Sequence, residues 1–301
     1  MRDKVVVIGS LNYDIILKSS RLPERGETMP VDSVSCSAGG KGANQAVQAA
    51  KLGLPTYMVG CVGKDLQGDY LLKIAQNYGL DTTYVRRTDV STGMGIVSAL
   101  DDGSVYASIS RGANFAVVEA DVDAAEPILR EAAIVILQME IPQKINEYAI
   151  AKAHALGCRI LLNAAPAAKL SEEYLKMCDL LVVNEVEAAF YLNQEIKDVS
   201  MARQGAAELA ERFSCDVILT LGKSGSVVSD QGRITYIPSR EVEAIETTGA
   251  GDSFIGGVSY GILRGMSLTE ACDFATRCSA VTVCRMGAQD SMPMLEELIN
   301  P

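Results

Sequence analysis

In the stretch Gly249-Ala250-Gly251-Asp252-Ser253-Phe254 a glycine-rich turn runs directly into an apolar pattern at helical spacing, and the only ionisable side chain sits at the junction. A helix beginning there aims its first free backbone N–H groups at one point, and its dipole adds positive potential. The result is an anion cradle with a carboxylate, Asp252, on its lip. A carboxylate beside an anion hole is repulsive at rest. It gains a purpose if it takes a proton from an attacking hydroxyl during phosphoryl transfer. The same residues also read as a plain helix start with Asp252 as an N-terminal cap, and in isolation both readings stand open.

Other polar side chains are spaced for chemistry. Asn12 and Asp14 lie one residue apart just after the apolar run at 4–9, where ligands bind beyond the carboxyl end of a strand in open α/β sheets. On an extended strand both point to one face and suit adjacent hydroxyls of a sugar; an Asx turn closing the strand is the alternative. Gly39-Gly40-Lys41-Gly42-Ala43-Asn44-Gln45 allows close backbone approach to a ligand and supplies Asn44 as donor and acceptor. It is not a Walker A loop, because Ser35 stands in place of the first glycine and Gly42 in place of the Ser/Thr. Lys41 either meets a substrate phosphate or is solvated.

These residues need a scaffold, and the apolar pattern supplies one. Strands are expected at 4–9, 56–62, 133–137, 159–162, 180–183 and 217–221, and helices after Gly42 and at 66–78, 122–130, 145–156, 202–213 and 268–284. Such alternation predicts a largely parallel sheet covered on both faces. Gln138-Met139-Glu140, Asn163, Asn184-Glu185-Val186-Glu187 and Thr220-Leu221-Gly222 fall at successive strand ends, where this architecture puts its site. Two excursions, about 12–37 and 93–110, are β-leaning, the second with a hairpin signature at Asp101-Asp102-Gly103-Ser104. Together they read as a small β lid on one α/β domain spanning 1–301.

Composition narrows the classes. A net charge of -11 argues against nucleic acid or an anionic membrane as the main partner. No apolar run approaches membrane-spanning length or a signal-peptide core, so a cytoplasmic location is expected. The eight cysteines form no C-x-x-C pair and read as reduced, apolar fillers. With one histidine, His154, zinc chemistry and a Ser-His-Asp hydrolase lose their support.

In their order along the whole chain, these motifs resemble those of the ribokinase-like (PfkB-type) carbohydrate kinases. Gly9-Ser10 with Asn12 and Asp14, then Pro23 and Gly26-Glu27-Thr28, match the opening segment. Gly39–Ala46 and Thr248–Phe254 match the two family signatures, with Arg111-Gly112-Ala113-Asn114, Asn184–Glu187 and Thr220–Gly225 between them. The resemblance implies a three-layer α/β/α fold and transfer of the ATP γ-phosphoryl group to a sugar's primary hydroxyl. D-ribose and its 5-hydroxyl are the expected acceptor, with 2-deoxyribose, a ketohexose or a nucleoside as the alternative, and a non-catalytic sugar sensor as a different class of answer. By the same resemblance Asp252 is the base and Gly249, Ala250 and Gly251 form the anion hole. Asn12, Asp14, Gly39, Gly40, Lys41, Asn44 and Glu140 fall on the sugar side. Asn184, Glu187, Thr220, Gly222, Gly225, Gly251 and Thr276 fall on the nucleotide side, with Mg²⁺ reached through water by Glu187. A homodimer through the lid is implied too. One position departs from the pattern: Glu246 stands where an aspartate usually helps bind an activating K⁺, with Thr248, Gly287 and Ser291 as the rest of that set, so weakened or altered K⁺ activation is expected.

Overall fold

The computed structural model describes residues 2–101 and 104–299. Its first strand, β1 (Lys4–Ile8), is buried on both faces, which is why its sequence is an unbroken apolar run and not an alternating one. The chain then leaves the core for β2 (Asn12–Ser19) and β3 (Ser33–Gly39) and returns through α1 (Lys41–Lys51), β4 (Thr56–Gly63), α2 (Leu66–Asn77) and β5 (Asp81–Thr88). A second excursion forms β6 (Gly93–Leu100) and β7 (Val105–Ser110). The hairpin turn expected between them includes Asp102 and Gly103, which lie outside the described residues.

Beyond Ser110 strands and helices alternate. The short helices α3 (Glu119–Ala124) and α4 (Glu126–Leu129) occupy the span expected as one helix at 122–130. Pro127 lies in the first turn of α4, where its missing N–H does no harm; inside a continuous helix it would remove a bond and clash with the preceding turn. Then follow β8 (Ala132–Leu137), α5 (Gln143–Ala155), β9 (Arg159–Asn163), α6 (Glu172–Leu175), β10 (Leu180–Asn184), α7 (Glu185–Leu192), α8 (Val199–Phe213) and β11 (Asp216–Thr220). The hairpin β12 (Ser226–Asp230) and β13 (Arg233–Ile237) precedes α9 (Ala250–Leu263), α10 (Leu268–Val283) and α11 (Leu295–Ile299). Strands β5, β12 and β13 fall where the sequence pattern placed none, at or next to the sheet margins and partly polar.

The nine-stranded sheet runs β13-β12-β11-β10-β9-β8-β1-β4-β5, parallel from β11 to β5, with the terminal hairpin antiparallel. Val6 and Ile8 of β1 pack into one apolar core and Val5 and Val7 into the other, so helices cover both faces and the three-layer expectation holds. β1 pairs with β8 on one side and β4 on the other, so chain order reverses there and a crevice opens beyond the strand ends. The second sheet, β3-β2-β6-β7, grows from that edge because β2 starts four residues after β1 ends. Among the described residues no helix is long and apolar enough to cross a membrane.

Candidate active site

Asp252 lies in the first turn of α9, whose N-cap is Gly249 at φ 78°, a left-handed conformation that a side chain would strain. The Asp252 carboxylate is buried, 7% exposed, and makes no bond that caps its own helix; α1 holds it instead. Asn44 donates through Nδ2 to Oδ2 at 2.9 Å, and Gln45 through Nε2 to Oδ1 at 2.9 Å. Two neutral amides orient the carboxylate without neutralising it, which keeps it able to accept a proton. The Lys41 pKa is raised above its ordinary value, chiefly by the Asp252 carboxylate and further by Glu140 and Glu187, against the cost of burial. Lys41 is thus a cation favoured by three carboxylates that come from separate parts of the sequence.

The cradle beside Asp252 differs in one respect from the expectation. The Ala250 N–H donates to the Thr247 carbonyl at 3.2 Å, closing the turn, so it is already engaged. The N–H groups of Gly249 and Gly251 have no partner among the described residues, and the space around the Gly251 α-carbon is open. Of the three amides expected to form the cradle, those of Gly249 and Gly251 are therefore the ones left free to meet an anion.

On one side of Asp252 lies the polar end of the second sheet. Asn12 pairs in register with Gly39 and Gly93, and Asp14 with Gly95, so Asn12 and Asp14 share one face. Glycine is required around them: a Cβ on Gly39 would stand 2.0 Å from Asp14 Oδ2, and one on Gly95 would stand 2.3 Å from Oδ1. Asn12 Oδ1 accepts from Asn114 Nδ2 at 2.7 Å, and Asn114 Oδ1 accepts from the Leu11 N–H at 2.9 Å. Burial first, and then the neighbouring Glu140, push the Asp14 carboxyl up to about 6, with the Gly95 N–H pulling the other way. Glu140 Oε2 accepts from the Ser10 hydroxyl at 2.5 Å and from the Lys41 N–H at 3.0 Å, so it also anchors the start of α1, where a negative charge is favoured. Gly40, at φ 88°, brings its α-carbon against the backbone of Leu11 and Asn12.

On the other side a cavity of about 450 Å³ opens between β10, β11, α9 and α10. Asn184, Thr220, Gly222, Gly225, Gly251 and Thr276, expected on the nucleotide side, all line it, as does Ala250. Glu187 is not among the lining residues. It is buried behind Asn184, accepting that residue's N–H at 2.7 Å, and burial raises its pKa against that bond and the Lys41 charge. The Asn184 side-chain oxygen caps α7 by accepting from Val186 and Glu187.

Among the described residues no cluster of three or more His, Cys, Asp and Glu is placed to hold a metal. That donor set suits Mg²⁺ only as an ion that keeps most of its water and meets at most one carboxylate. For the monovalent cation, Glu246 Oε2 accepts the Gly287 N–H at 2.8 Å, which brings those two positions together. The buried Ser291 hydroxyl donates to the Ala288 carbonyl at 2.7 Å in the same turn. Thr248 is exposed and has no hydrogen bond to these residues among those described. One carboxylate amid backbone oxygens is hard-cation chemistry, although one oxygen of Glu246 is already engaged.

Several residues that build the site were not singled out from the sequence. Gln45 touches Asp252 itself and is seen in sequence only as the neighbour of Asn44. Gln138 and Gln289 contact the two amides on the base. Ser226 lines the 450 Å³ cavity, and its hydroxyl is buried without a partner among the described residues. Its only sequence signal is a serine among apolar residues on a strand, which is too weak to find it.

The model of the pfkB family carbohydrate kinases matches residues 2–295. A ribokinase of Schizosaccharomyces pombe is 37% identical over 98% of this chain and 96% of its own length. A deoxyribokinase of Salmonella typhi is 31% identical over 97% and 96%. The structure of an Arabidopsis thaliana ribokinase complexed with ribose and ATP superposes with a TM-score of 0.92 at 31% identity, covering 99% of this chain and 98% of that one.

Proposed function

The chain belongs to the pfkB family of carbohydrate kinases, and from that premise we propose that it phosphorylates D-ribose at the 5-hydroxyl with ATP, giving D-ribose 5-phosphate and ADP. The observation that carries this reading is the position of Asp252. It is a buried carboxylate held by two amides of α1, beside free helix N-terminal N–H groups, in the same turn as the Ala250 and Gly251 that line the 450 Å³ cavity.

The steps follow from these positions. Asn12, Asp14, Asn44 and Glu140 hold the sugar hydroxyls, and a site that buries such partners penalises substrates lacking the matching hydroxyl. Asp252 takes the proton of the acceptor hydroxyl as its oxygen forms a bond to the γ-phosphorus and the bond to the β-phosphate bridging oxygen breaks. The N–H groups of Gly249 and Gly251 and the Lys41 ammonium offset the charge spread over the transferring group. Glu187 would hold a Mg²⁺ ion through water, and that ion would supply further neutralisation of the phosphates. The second sheet is the lid of this single α/β unit, excluding water that would otherwise accept the phosphoryl group.

Two further features belong to the proposal. The lid face turned away from Asn12 and Asp14 exposes Val34, Ile96 and Tyr106, an apolar strip suited to a second copy of the chain. Glu246 weakens any activation by K⁺, because its longer side chain reaches the Gly287 amide.

An ADP-release assay of the wild type and Asp252→Asn, with ribose, 2-deoxyribose, fructose and adenosine as acceptors, tests the reading. Ribose should be the fastest acceptor, and the variant should still bind ribose while losing about 10²–10⁴-fold in kcat. Faster turnover of 2-deoxyribose would move the substrate assignment toward the Salmonella relative's activity. No turnover of any acceptor would favour a sugar sensor.

A further inference from the structure

The two oxygens of Asp252 are each held by an amide that is itself held by another amide. Asn44 Nδ2 donates to Oδ2, and Asn44 Oδ1 accepts from Gln289 Nε2 at 3.1 Å. Gln45 Nε2 donates to Oδ1, and Gln45 Oε1 accepts from Gln138 Nε2 at 2.7 Å. All four amides are buried. A carboxylate accepts and cannot donate, so both inner amides must turn their NH₂ ends toward it, and their carbonyl ends then need donors. The outer glutamines are those donors. The polarity of both chains is thus set by one charge, and each outer amide determines which end of its inner amide the base meets.

The outer glutamines are built into place. Gln138 ends the β1–β8 crevice, and Asn146 Nδ2 donates to its backbone carbonyl at 2.8 Å. Gly9 makes room for its side chain, since a Cβ there would stand 2.0 Å from Gln138 Oε1. The backbone carbonyl of Gln289 accepts from the buried Lys51 ammonium at 2.6 Å. Gln138 Oε1 and Gln289 Oε1 are among the few buried polar atoms without a partner among the described residues. Leaving a buried carbonyl unpaired is costly, and such atoms are tolerated where they serve a function. Here the NH₂ end of each side chain is committed to orienting its neighbour.

We propose that Gln138 and Gln289 are positioning residues for the phosphoryl-transfer reaction: through Gln45 and Asn44 they fix the orientation of the Asp252 carboxylate without touching sugar, nucleotide or the reacting atoms. The inference rests on the reading of Asp252 as the base. Gln45 joins Asn44 as a direct holder of that base. Because Asn44 also belongs to the sugar side, the Gln45–Gln138 arm isolates the effect on the base from any effect on sugar binding.

The test is Gln138→Glu, nearly the same shape but unable when ionised to donate to Gln45 Oε1. Gln45 must then turn its NH₂ end outward and present its carbonyl to Asp252. We expect kcat to fall about 10–100-fold, as for a small misplacement of a reacting group, with the KM values for ribose and ATP changed less than about threefold. Gln138→Met, which removes the donor without inverting the amide, should lose less. In a Gln45→Met background Gln138→Glu should cost nothing more, because its effect passes through Gln45. An equal loss of kcat in both backgrounds, or an unchanged kcat in the single variant, overturns the proposal. Should Gln138→Glu fail to fold, Gln289→Glu asks the same question of the other arm, and an unchanged kcat there overturns it as well. An inactive wild type, or a fully active Asp252→Asn, overturns the parent reading. An active wild type, an inactive Asp252→Asn and an unaffected Gln138→Glu overturn this inference alone.

Discussion

Asp14 is open to a quantitative test through pH. Its carboxyl sits in a glycine-lined gap on the second sheet, and burial, with Glu140 next, moves it from an ordinary 3.8 to about 6. A shift of about two units is worth on the order of 3 kcal/mol between the charged and neutral forms. Between those two values the native state binds the proton more tightly than the unfolded chain does. The stability contributed by the protonated form is therefore present below about pH 4 and is lost as pH rises through about 6. Sugar binding should run the opposite way, because hydroxyls that donate to Asp14 favour its ionised form. Calorimetric titration of D-ribose without ATP, from about pH 5 to about pH 8, should give half the limiting affinity near pH 6 and a loss of about tenfold at pH 5. Omitting ATP keeps Glu187, which burial also raises, out of the measurement. Asp14→Asn should bind ribose more weakly at neutral pH and with a flat profile. A flat profile in the wild type, or the same slope in Asp14→Asn, would refute the placement of Asp14 against the sugar.

Lys41→Met removes the ammonium shared by Asp252, Glu140 and Glu187. The kcat should fall about tenfold or more, the value of one charge-assisted hydrogen bond, with ribose affinity little changed; an unchanged kcat would mean that Lys41 is structural. Glu246→Asp withdraws the carboxylate from the Gly287 amide, so added KCl should raise the initial rate more steeply than in the wild type, and identical KCl curves would end the argument about this position. Ile96→Lys puts a charge in the exposed strip of the second sheet. Light scattering should find the wild type as a dimer and the variant as a monomer, and a wild-type monomer would remove the dimer from the proposal.

Legibility in sequence follows a physical division. Buried strands such as Val5–Ile8 and Ile134–Leu137 announce themselves because burial on both faces demands continuous apolar residues. The glycine-rich turns at 39–42 and 249–251 are visible because few other residues tolerate their backbone or the close approach of a neighbour. Polar strand ends marked the crevice, and six residues expected on the nucleotide side do line one cavity. The edge strands β5 and β13 are not visible, because partly polar edge strands carry a weak periodic signal, and β12, next to the edge, holds only Val227 and Val228 between polar residues. The break at Pro127 was readable but was outweighed by the apolar spacing around it.

By itself the sequence determined the layered α/β architecture and the two excursions that make the second sheet, and it singled out Asp252 as the candidate base. Periodicity and backbone permissiveness are local properties, and a chain shows them residue by residue. Only the tertiary structure decided what Asp252 touches. Asn44 and Gln45 come from α1, Gln138 from the end of β8 and Gln289 from the turn after α10. Hydrogen bonds between residues 93 to 245 positions apart leave no mark in spacing. Their direction is set by a charge that must be donated to, so that each of these amides has one way to turn.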